Sequence, residues 1–152
     1  MEIKTLVTFR AVGFPDESQW TASGSPLVPD GWSVSTAIAS ALRSIGYQVS
    51  EPVQHSFYGW SFTVTCSEHQ ERCLLQLGEP SWLLQVEEKL PAWRRLLGKE
   101  GSSDLLAVLR AVDEALKADP RFSVIRWFCQ KDYEAGANGG AETPLAGDMG
   151  KL

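Results

Sequence analysis

The densest chemistry in this chain of 152 residues lies in Cys66-Ser67-Glu68-His69-Gln70-Glu71-Arg72-Cys73, where two thiols and an imidazole follow a C-x2-H-x3-C spacing. A structural zinc site wants four ligands, and the further candidates, His55 and Cys129, can join only through folding. With no matching second pair, the segment reads as the polar tip of a hairpin, and no metal is assigned. A thiol nucleophile needs a neighbouring base and something to lower its pKa. Cys66 or Cys73 with His69 offers that minimum pair, but no orienting third group or oxyanion-stabilising turn is identifiable. Cys129, set among aromatics, reads as a small buried hydrophobe.

Other chemistries find less. Asp16 with Glu17 and Glu87 with Glu88 are adjacent, and in a strand adjacent side chains point to opposite faces, so neither makes a working carboxylate pair. The glycines from Gly136 to Gly140 precede no helical pattern, and neither phosphate-loop spacing occurs. Catalytic residues are therefore not assigned, and no cofactor is expected.

The elements that would carry these residues follow from periodicity. Ile3, Thr5, Val7 and Phe9 alternate against Lys4, Thr8 and Arg10, the period of a half-buried strand, with Leu6 alone breaking it. Residues 12 to 31 are rich in Gly, Pro, Ser and Asp around Trp20, a long connection of the kind that carries function, moves, or hides a short strand. Val34, Ile38, Ala41, Leu42 and Ile45 predict a first helix, capped by Ser33 or Ser35 and stopped by Gly46. Tyr47, Val49 and Val53 predict an edge strand interrupted at Pro52.

Three strand-like runs then form a meander between residues 58 and 86. Tyr58, Trp60, Phe62 and Val64 share one face, with Gly59, Ser61, Thr63 and Thr65 on the other; Trp82, Leu84 and Val86 repeat the arrangement. Leu90-Pro91 predicts a short helical turn holding Trp93, Leu96 and Leu97. Beyond it Ser102 or Ser103 caps a second helix with a stripe of Leu105, Leu109, Val112 and Leu116. The last strand, residues 122 to 129, is apolar on both parities, as expected in mid-sheet or beneath a covering element.

The expected fold is α+β: an antiparallel or mixed sheet of five to six strands with two main helices on one face, in the order β-α-β-β-β-β-α-β. Residues 1 to 130 are expected to form one domain and residues 131 to 152, rich in Gly and Ala, to trail as a flexible tail, so that removing residues 136 to 152 leaves the melting temperature nearly unchanged.

Composition limits the function classes. Hydrophobic residues make up 43% and charged residues 22%, enough to close a core without staples. An odd cysteine count of three, charges within the first ten residues and the absence of a long apolar run point to a reduced, cytoplasmic protein with no membrane partner. The net charge of −5 is uneven, with four basic and ten acidic residues before position 89.

Gly59-Trp60-Ser61-Phe62-Thr63-Val64 resembles the aromatic strand of RNA-recognition modules. Tyr58 stands where that pattern has a basic residue, and the chain is acidic, so no nucleic-acid partner is expected. The overall profile, small, acidic, α+β and without cofactor, is similar to that of bacterial immunity proteins and related inhibitors, which implies a basic protein partner. The partner-binding residues expected on that reading are Asp16, Glu17, Trp20, Asp30 and Trp32, because loop tryptophans anchor partners. The alternative is a small-molecule pocket or small enzyme site between the sheet and residues 12 to 31, lined by His55, Tyr58, Trp60 and His69.

Overall fold

The protein is described by a computed structural model over residues 3–56, 58–66, 69–78, 81–89, 103–136 and 139–144. Strand β1 (Leu6–Ala11) is followed by a small hairpin, β2 (Gln19–Trp20) and β3 (Pro26–Val28), then helix α1 (Trp32–Ser44). Next come β4 (Gln48–Val49), β5 (Val53–His55), β6 (Gly59–Cys66), β7 (His69–Leu77) and β8 (Trp82–Glu88). Helix α2 (Ser103–Ala118), β9 (Phe122–Phe128) and a short α3 (Gln130–Glu134) complete the order. The helical turn expected over residues 90 to 98, with Trp93, and the Ser102 cap lie outside the described residues. No described helix is long and apolar enough to cross a membrane.

The main sheet is antiparallel, in the order β4-β6-β7-β8-β1-β9, with β5 also paired to β6, and the α+β architecture is as the periodicity predicts. Pro52 divides β4 from β5 at the sheet edge, where a missing donor breaks no ladder. Register keeps the faces apart: Phe62 opposes Cys73, which opposes Val86, and Val7 opposes Leu84. All five are buried, with Leu75 and Phe9, beneath α1 and α2. The helices contribute Val34, Ile38 and Leu42 from α1 and Val108, Leu109, Val112 and Leu116 from α2.

One local expectation changes, and two readings left open are resolved. Residues 12 to 31 hide short strands, the β2–β3 hairpin. Gly31, not Ser33 or Ser35, is the N-cap of α1, with no cap from its own side chain; Ser35 turns inward and donates from Oγ to the Gly31 carbonyl at 2.8 Å. Finally, of the two places expected for a strand apolar on both parities, β9 takes the one beneath a covering element, because it ends the sheet.

The two apolar parities of β9 have a local cause. Thr8 pairs Arg126 and Arg10 pairs Ser123, so Val124 and Ile125 together oppose Phe9. That bulge, with Val124 at φ 51°, shifts the parity and lets Phe122, Ile125 and Trp127 all face the core. Phe128 falls on the opposite face beside Leu6, its strand partner, and both are buried. Residues beyond β9 provide the cover: Tyr133 meets Phe128 edge-on at 5.8 Å, and Ala141 bridges Trp127. Where a trailing tail is expected, residues 131–136 and 139–144 thus turn back on the fold; residues 145–152 lie outside the description.

Candidate functional site

The expected partner-binding residues gather at one end of the molecule, and hydrogen bonds show how. Glu17 donates its backbone N–H to Asp30 Oδ1 at 3.1 Å, and its own Oε1 accepts the N–H of Ser33 at 2.9 Å. A carboxylate remote in sequence therefore caps α1, satisfying an orphan amide where the helix dipole favours negative charge. Asp16 closes a turn: the Ser18 hydroxyl and amide both donate to Oδ1, holding this carboxyl below its usual range. Asp16, Glu17 and Asp30 are thus occupied in shaping the segment that carries the tryptophans.

Those tryptophans stand clear of it. Trp20 in the hairpin is 62% exposed and Trp32, the first residue of α1, is 43% exposed. Leu27, Val53 and Tyr58 add exposed apolar surface, and Gln54 ties the hairpin to β5 by donating to the Leu27 carbonyl at 2.9 Å. Scattered apolar side chains on a surface are ordinary, but two tryptophans on hydrogen-bonded elements are unusual in leaving so much aromatic area in water.

The alternative pocket residues do not converge. His55 and Tyr58 meet edge-on at 5.5 Å, and the half-buried Trp60 donates its indole N–H to the Pro29 carbonyl at 2.9 Å. His69 pairs with Cys66 at the far end of β6, seven residues from Gly59, about 23 Å away at the rise of a strand. Nor is there room beneath the hairpin at Gly31, where a Cβ would lie 3.0 Å from Trp82 and 3.3 Å from Trp60. A cavity of about 450 Å³ lies instead between the C-terminal ends of α1 and α2, lined by Ala41, Ile45, Ala115, Ala118 and Pro120 with Glu114 among them.

At the His69 end the structure supplies the group that the sequence did not reveal. Asp104, in the first turn of α2, is hydrogen-bonded through Oδ2 to His69 Nδ1 at 2.5 Å and accepts from Cys66 Sγ through Oδ1 at 3.7 Å. This resembles an activated thiol in composition and opposes it in effect. Burial, then the Asp104 charge and hydrogen bond, push the Cys66 thiol up, away from the thiolate a nucleophile needs. Burial also pushes up Cys73, which is fully enclosed. Among the described residues no three His, Cys, Asp or Glu side chains are grouped to hold a metal ion.

Glu71 is the other residue that motif reading passed over. It shares the inward parity of β7 with His69, Cys73 and Leu75, so strand alternation alone places a carboxyl in the core. It is fully buried, and neither side-chain oxygen has a hydrogen-bond partner among the described residues. Asp104 carried no comparable signal, since its partners come from strands 35 and 38 residues away. No protein-family model matches the chain, and no curated protein or solved structure is similar enough to count as a match.

Proposed function

We propose that the protein is a non-catalytic, cytoplasmic protein-binding module, of the inhibitor or immunity kind, that holds a basic protein partner at the end bearing the β2–β3 hairpin. The observation that carries this reading is the exposure of Trp20 and Trp32 on elements braced by Glu17, Asp30 and Gln54. Aromatic anchors presented without a large ordering cost are what interface hot spots require. Between residues 16 and 60 the sequence has four carboxylates, Asp16, Glu17, Asp30 and Glu51, against one basic residue, Arg43, which pairs with Glu51. That balance favours encounter with a positive surface, and charge of this kind acts mainly on association rate.

The test is affinity capture of the tagged protein from its own cell extract at low and high salt. A basic protein retained at low salt and released at high salt is expected, and Trp20→Ala or Trp32→Ala should abolish capture while leaving the unfolding midpoint nearly unchanged. Undiminished capture by both variants, or unfolding in place of lost binding, returns the tryptophans to a structural role.

A second reading, small-molecule binding, draws on the cavity between the ends of α1 and α2, whose volume suits a small ligand. A metabolite retained by the native protein and lost on Ala115→Leu, which narrows that cavity, would favour it over the protein-binding reading.

A further inference from the structure

Strand β7 brings Glu71 into the interior at the end of the sheet roofed by the first turn of α2. Its cross-strand partner on β8 is Glu88, itself half-buried, and on β6 it opposes the buried Val64. Asp104 on α2 adds a third carboxyl, and His69, two residues along β7, opposes their charge. Cys66 on β6 and Tyr47 in the turn before β4 also lie around this end, with Glu114 of α2 acting on Tyr47, and Cys73 follows on the same face of β7. An isolated carboxylate cannot be enclosed so fully without hydrogen bonds at small cost, whereas a neutral carboxyl can.

We propose that this end of the fold is a proton-operated clasp: with Glu71 neutral the first turn of α2 seats on β6 to β8, and ionisation of Glu71 against Glu88 and Asp104 loosens that seat. Three features support it. Glu71 is wholly enclosed and unpartnered among the described residues, so its charged form finds no compensating donor there. Asp104, on the element that must move, is held by the contacts to His69 and Cys66 that repulsion would strain. Burial first, then Glu88 and Asp104, raise the Glu71 carboxyl to about 7, which puts the change near neutral pH.

The sign follows from linkage. The carboxyl is raised in the folded state from 4.5 to about 7, so between those values the folded chain holds a proton that the unfolded chain has released. The associated stability is present below pH 4.5 and is lost as pH rises through about 7. The folded-to-unfolded ratio should fall on the order of a hundredfold across that window from this group alone.

The experiment is equilibrium urea unfolding of the full chain at steps from pH 5 to pH 8, for the native sequence and Glu71→Gln, with amide hydrogen exchange of α2 at both ends of the range. Glutamine keeps the shape without the ionisation, so the variant should lose most of the pH slope. After correction for intrinsic rates, the first turn of α2 should exchange faster at pH 8 than at pH 5 only in the native chain. An unchanged slope in Glu71→Gln overturns the proposal; so does a lost slope with α2 equally protected at both pH values. Should that variant not fold, Glu88→Gln serves instead, since removing one repelling charge should move the native transition to lower pH, and no movement refutes the clasp.

Discussion

At Gly31 the backbone has φ 124°, and a Cβ there would approach Trp82 Cζ3 to 3.0 Å and Leu75 Cδ2 to 3.4 Å. Both the conformation and the space are suited to glycine, so Gly31→Ala should destabilise by about 1 to 3 kcal/mol, read as a lower urea midpoint. A neutral result would show that the hairpin does not press on the sheet there. Glu17 acts on the same helix start from outside, and Glu17→Ala should cost about 0.5 to 2 kcal/mol as a lost cap. The cap was not legible because Ser33 and Ser35 offered the expected residue type at the expected place, whereas Glu17 reaches Ser33 only after folding. Val124 presents the reverse situation: a β-branched, exposed residue at φ 51°. Glycine normally weakens a strand, yet Val124→Gly should raise the unfolding midpoint, because it removes a left-handed conformation that costs an ordinary residue about 1 to 2 kcal/mol. A lowered midpoint would mean that the valine side chain contributes more than its backbone loses.

Among the elements, β6, β7 and β8 are the part most fully written in the sequence. Their alternation holds in the paired register, with Trp60, Phe62 and Val64 on the face toward the helices and Ser61, itself buried, and Thr63 on the other, because no bulge interrupts it. The same rule read along β9 stops working at Val124, where the bulge adds a residue and reverses the parity. Helix α2 was legible for a related reason: the period of Leu105, Leu109, Val112 and Leu116 is uninterrupted, and all four are buried. Leu109→Ala should therefore cost about 2 to 5 kcal/mol in chemical unfolding, and a neutral outcome would refute that packing face. What the period does not disclose is the polar end of the same interface. Glu71 shares the inward parity of β7 with Cys73 and Leu75, so alternation places it in the core without naming what it meets there, whereas Asp104 precedes the apolar stripe and looks like a solvated charge until the helix is placed. The clasp is a property of two elements meeting, which is why motif reading around Cys66 and His69 found the thiol and imidazole without the Asp104 carboxylate that bonds to both.

For the molecule as a whole, the decisive question is what closes the second face of β1 and β9. Leu6 and Phe128 are strand partners on the side away from both long helices, yet they are only 4% and 9% exposed. Gly140 lies so close that a Cβ there would be 2.7 Å from Phe128 Cζ, Pro144 accepts the Lys4 amide at 3.0 Å, and Ala141 exchanges backbone hydrogen bonds with Trp127. Lys117 joins this return to the core: its Nζ donates to the Glu142 carbonyl at 2.7 Å and to Asp113 Oδ2 at 2.8 Å, while Asp113 Oδ1 accepts the buried Trp127 indole N–H. The composition of residues 136 to 144 is poor in apolar side chains, which suggests a tail, but the burial here belongs to Leu6 and Phe128 and is merely completed by small residues and backbone. Removing residues 137 to 152 should therefore uncover Phe128 and lower stability by about 1.5 to 3 kcal/mol, a fall in melting temperature of about 5 to 10 °C for a domain of this size. An unchanged melting temperature would restore the flexible tail. A second comparison separates lost cover from lost hydrogen bonds: Phe128→Ala should cost less in the truncated chain than in the full one, because a ring already open to water has less burial to lose. Equal costs in the two backgrounds would instead attribute the effect of truncation to the Lys117 and Trp127 contacts, leaving Phe128 covered by other means.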